Sequence, residues 1–207
     1  QDLNTVWSRG GSDVFLQQYD LQGALVWEYI MASSSNDQLK AIHCSPNGTI
    51  FSVGTFSDSL FLGLQDTFIY SNQPAVFISQ QQPSGQLNWA KVIEGQGLVI
   101  AEDILSDAQN NSYVTGTFQD SFWVDSTHLL VGSSKNTPFV FKLDATGTVL
   151  WARTPQTCDE GTGIALALSN QNELYWAGQF KGYFALSTDS IRAHWIYNDL
   201  FLIKLDS

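Results

Sequence analysis

Basic residues are scarce in this chain: 9 Lys and Arg stand against 20 Asp and Glu, a formal net charge of −11. The acids are spread along the sequence without blocks, so the surface repels phosphate backbones and no nucleic-acid partner is expected. Long apolar runs are missing too. No stretch approaches the roughly 20 residues that span a bilayer as a helix, so no transmembrane segment is expected. Nor does a charged-then-apolar leader open the chain, and Gln1 in place of Met fits a processed mature N-terminus or a trimmed chain. Cysteine is limited to Cys44 and Cys158, too far apart for a CxxC site and too few for a disulfide framework; both are expected to be unpaired. Helical periodicity is absent throughout. With 43% hydrophobic and only 14% charged residues, the chain is nonetheless a folding one, not a disordered one.

Catalytic signatures are equally thin. There is no GxSxG elbow, no calcium loop of the D-x-D-x-D-G kind and no glycine-rich phosphate cradle ahead of a helix. His43, His128 and His194 are dispersed and lack metal-ligand spacing. His43 and Cys44 are strand neighbours whose side chains point to opposite faces, which breaks a nucleophile–base pair. The acid pairs Glu102/Asp103 and Asp159/Glu160 read as solvated charges in or near loops, although acids converging on one cleft could run glycoside chemistry. The sequons at Asn47 and Asn110 lie in turn sequences and serve equally as turn chemistry. No metal and no cofactor is expected.

What the sequence has is a repeat. Trp27, Trp89 and Trp151 are spaced by 62 residues. The same step relates Gly23, Gly85 and Gly147, then Gly54, Gly116 and Gly178, and finally Phe15, Phe77, Phe139 and Phe201. Each unit holds an apolar strand, a Gly turn, a Trp-bearing strand, and a hairpin such as "AIHCSPNGTIFSVGTF", with a connector that reads as an extra small hairpin. About four antiparallel strands per repeat with recurrent Gly and aromatic positions predicts an all-β chain of β-propeller blades. The expected layout is one propeller domain or propeller segment over 1–207. Repeats start near 13, 75 and 137, and a partial fourth starts from 199. In such an array the repeated Trp and Phe residues pack between blades.

The phrase carried by Asp13, Phe15, Asp20, Gly23 and Trp27, with Tyr113, Val114, Gly116 and Phe118 from the hairpin, resembles the bacterial SBBP-type beta-propeller repeat family. Phe139, Lys142, Asp144, Gly147 and Trp151 repeat it; the second unit departs, with Gln80 and Gln82 where the family favours Lys and Asp. A weaker likeness is to quinoprotein-like Trp-docking propellers. The first resemblance implies an exported or surface-associated bacterial protein, without a particular activity.

A non-catalytic binding or scaffold module for a protein or glycan at the cell envelope is therefore expected, extracellular or cell-surface, with the periplasm as the alternative setting. The competing readings are a polysaccharide-active enzyme and a periplasmic scaffold for outer-membrane assembly. Aromatics outside the repeat columns are the candidate contacts: Trp195 and Tyr197 in the last connector, Trp123 in the preceding one, and Trp7 near the start. Three periods occupy 186 residues and leave 21, and the last strand "DLFLIKLDS" opens a fourth unit. The expectation is a segment of a longer propeller, or copies that complete one another.

Overall fold

A computed structural model of the chain describes residues 10–62, 67–71, 73–194 and 197–205. The regular elements in these residues are all strands. The first is β1 (Val14–Tyr19), followed by β2 (Leu25–Ala32), β3 (Gln38–Cys44), β4 (Ile50–Phe56), β5 (Ser59–Leu62) and β6 (Thr67–Tyr70). The middle of the chain forms β7 (Ala75–Gln81), β8 (Leu87–Ile93), β9 (Val99–Ser106), β10 (Ser112–Phe118), β11 (Ser121–Trp123) and β12 (Leu129–Val131). The last third gives β13 (Thr137–Leu143), β14 (Val149–Arg153), β15 (Thr157–Leu168), β16 (Leu174–Leu186), β17 (Asp189–Arg192) and β18 (Asp199–Leu205).

Two four-stranded antiparallel sheets follow the repeat in full, β3-β4-β7-β8 and β9-β10-β13-β14, and β1-β2-β5-β6 form another four-stranded sheet across a blade boundary. A third repeat sheet, β15-β16-β18, has the same hairpin and third strand, with β17 paired to the far end of β16. β1 and β2 are the third and Trp-bearing strands of a unit before the first complete sheet. These sheets are β-propeller blades, as the repeat predicts.

The turns follow from backbone sterics. Gly23, Gly85 and Gly147 have φ of 82°, 82° and 84°, a region that favours residues without Cβ. The hairpin turns place Gly48, Asn110 and Asn172 at positive φ, again 62 residues apart. Asp20 and Asp144 close the Gly turns by accepting backbone N–H groups two and four residues on.

Each of the three sheets also carries a β-bulge in its hairpin, at Lys40, Glu102 and Ile164, again one period apart. A second bulge precedes the Trp of the outer strand, at Val26, Asn88 and Leu150. The hairpin bulge explains the second glycine column. A Cβ on Gly54, Gly116 or Gly178 would collide with the carbonyl oxygen of Gln38, Ile100 or Thr162 on the bulged strand. Opposite each glycine lies Phe77, Phe139 or Phe201, buried in the unit's third strand.

Apolar side chains are buried between sheets, not within one. Val14, Leu16 and Met31 pack on Phe56 and Phe77; Phe51, Val53 and Ile78 pack on Ile104 and Phe118; Tyr113 and Val140 pack on Trp176 and Phe201. The connectors tie neighbouring blades further. β5 pairs with the end of β2, Gly95 after β8 bridges Phe122, and Gln156 after β14 donates its N–H to Ala185.

Candidate functional site: the connector rim and the inner strands

Two of the three repeated tryptophans, Trp27 and Trp89, are bonded to the neighbouring blade. Trp27 Nε1 donates to Pro83 O at 3.0 Å and its ring lies against the Gly85 turn. Trp89 does the same to Ala145 O, at 3.0 Å, and to the Gly147 turn. A Cβ on Gly85 would enter the Trp27 ring and one on Gly147 would press on Trp89, which is a second reason for glycine there. Trp151 is tilted against Tyr113, with the Arg153 guanidinium 5.4 Å from its ring centre. A ring held in this way is first of all a packing group.

Among the described residues the exposed aromatics outside the repeat columns are Tyr19 on β1 and three on the connectors between the second and third strands of the blades. Trp123, on β11, is more than half exposed and shares its face with exposed Leu129 and Val131 of β12. Tyr197 is also more than half exposed, its ring 5.9 Å from that of His194. Trp195 and Trp7 lie outside the described residues. Tyr70 at the end of β6 is exposed to the same degree and belongs to the equivalent connector of the first unit. Sequence reasoning passed over Tyr70, although its place between two repeat columns was the available signal. Three successive connectors thus each present an exposed ring.

The acid pairs read as loop charges are on strands instead. Glu102 and Asp103 belong to β9, and Asp159 and Glu160 to β15. The reason is the bulge: it lets an inner strand carry an extra residue without losing its ladder. Asp103 accepts the backbone N–H of Leu166 in the next blade at 2.8 Å, and burial raises its pKa against those hydrogen bonds. His43 of the preceding blade feels its charge, but burial is the larger effect and lowers the imidazole pKa. Asp159 accepts Tyr183 N–H at 2.6 Å. These acids knit strands together. Cys44 and Cys158 are unpaired, as expected. Burial, with the charges of Asp159 and Glu160, pushes the Cys158 thiol up to about 12, far from a reactive thiolate. Among the described residues no helix is long and apolar enough to cross a membrane.

Blades stacked through shared aromatic columns define a propeller-type repeat protein. No family model matches the chain, so the SBBP resemblance rests on its motif residues alone. Over 168 residues, 72% of its length, the chain is 26% identical to an uncharacterized WD repeat-containing protein, L264, of Acanthamoeba polyphaga mimivirus. It spans 12% of that protein. WD repeats are themselves four-stranded propeller blades, so this similarity and the observed sheets agree.

Proposed function

We propose that the chain acts as a propeller scaffold that binds a protein or glycan through its connector rim, without catalysing a reaction. The observation that carries this reading is the division of its aromatics: apart from Phe15 the repeated rings are spent between blades, while Tyr70, Trp123 and Tyr197 stand exposed on successive connectors. Exposed Tyr and Trp supply large contact area at low entropic cost, which suits sugar stacking and protein anchoring alike. The name of the viral relative supports a repeat scaffold, and the SBBP-type motif supports an exported, cell-surface setting. Blade-end faces completed by further propeller sequence or by other copies belong to the same reading.

The deciding measurement is binding by single Tyr70→Ala, Trp123→Ala and Tyr197→Ala variants, against a glycan array and an envelope extract. Loss of about tenfold or more in affinity, with melting temperature unchanged, is the expected result. Turnover on a polysaccharide panel that one carboxylate substitution abolishes would sink the scaffold reading. The docking of Trp27 and Trp89 on the next blade favours a second reading, a periplasmic assembly scaffold akin to Trp-docking propellers. Fractionation of producing cells separates the two settings.

A further inference from the structure

β1 stands apart from its register mates. β7, β13 and β18 are each paired to an inner hairpin strand that sets a glycine opposite the phenylalanine: Gly54 and Phe77, Gly116 and Phe139, Gly178 and Phe201. Among the described residues β1 pairs with β2 alone. The consequence is visible in exposure. Phe77, Phe139 and Phe201 are 0%, 1% and 3% exposed, whereas Phe15 is 61% exposed. Ile42, on the blade facing β1, is 54% exposed, while its mate Ile104 is 2% exposed under a cluster that includes Phe51 and Val53 of β4. Between the two runs a groove of about 330 Å³ lined by Leu16, Gln18, Trp27, Ile42, Cys44 and Ile50, mostly apolar.

The edge is also unguarded. Free edge strands normally carry Lys, Pro or inward charges that block pairing; β1 reads VFLQQY and has none. Three internal copies of this interface show what covers such an edge.

We infer that the free edge of β1 docks an antiparallel β-hairpin of the chain's own repeat type, with a glycine opposite Phe15 and apolar side chains in the groove against Ile42. Main-chain hydrogen bonds supply the affinity of strand addition, and the glycine opposite a large ring supplies its selectivity. The inference rests on the blade-end completion of the proposed function and deepens it; the rim aromatics take no part, so its failure leaves rim binding standing.

The test is amide hydrogen exchange of the whole chain with a synthetic peptide spanning residues 99–118, the β9–β10 hairpin. Exchange in β1 is expected to slow about tenfold at roughly 1 mM peptide. A Gly116→Val peptide is expected to give no slowing. Phe15→Ala in the protein is expected to remove it, and because that side chain is exposed the variant keeps its fold, checked by an unchanged melting temperature. Unaltered β1 exchange, equal slowing by both peptides, or slowing at β18 instead of β1 overturns the inference. Protection of β1 that grows with protein concentration and needs no peptide overturns it in favour of a face of a second copy.

Discussion

Gly116 shows how much one missing methyl decides. A Cβ there would run into the Ile100 carbonyl oxygen on β9, beside the bulge at Glu102, and Phe139 lies opposite. Gly116→Ala is therefore expected to cost about 3 kcal/mol or more, because backbone and not a flexible side chain must move. Urea denaturation measures it, and a cost below about 1 kcal/mol would show that the strand pair opens easily. The repeat made this column legible in the sequence; its cause, a bulge on the neighbouring strand, was not, because bulges depend on pairing partners. Asp37 gives a pH-dependent counterpart. Burial raises its pKa to about 6, opposed by hydrogen bonds from Ser33 and reinforced by Asp13. A carboxyl raised in the folded state contributes stability fully present below about pH 4 and lost as pH rises through 6. Asp37→Asn keeps an acceptor for Ser33, so it is expected to flatten this fall, by about 1 kcal/mol between pH 4 and 7 after solvent screening. Thermal melts across that range test the sign, and an unchanged slope rules the assignment out.

At the scale of elements, the outer strand and the next blade's Gly turn behave as one device. Trp89 contributes a ring packed on Gly147 and an N–H donated to Ala145 O. Trp89→Phe keeps most of the ring and loses the donor, so it is expected to cost about 1 kcal/mol. Trp89→Ala loses both and is expected to cost about 3 kcal/mol. Equal costs in denaturant titrations would mean that the hydrogen bond alone holds the strand. Strand number, turn glycines and the extra hairpin in each connector were readable beforehand, because period-two alternation and turn residues are local signals. The attachment of β5 to β2 across a blade boundary was not, since nothing local marks a strand end as a pairing site. The same limit made Glu102 and Asp103 look like loop residues: a bulge interrupts alternation and mimics a break in the strand. Candidate contacts were read from departures from the repeat, which found Trp123 and Tyr197 but passed over Tyr70.

Across the whole molecule, stability should be graded, because each blade is buried mainly by its neighbours. β10 is buried along its whole length, and its Phe118 joins a cluster with Phe122, Phe139 and Phe141 at centroid separations of 4.9 to 6.2 Å, mostly edge-on or tilted. β1 and β18 instead leave Phe15, Leu200 and Leu202 exposed. Hydrogen exchange is therefore expected to be slowest in β10 and β13 and fastest in β1 and β18. Substitutions distinguish this gradient from a single cooperative unit. Phe118→Ala removes a ring shared by two blades and is expected to lower global stability by about 4 kcal/mol, raising exchange everywhere. Trp27→Ala detaches β2 from the Pro83 turn alone, so exchange should rise in β1, β2, β5 and β6 while β10 keeps its protection. If β10 loosens as much as β1 in that variant, the blades unfold together and nearest-neighbour burial is not what limits their opening.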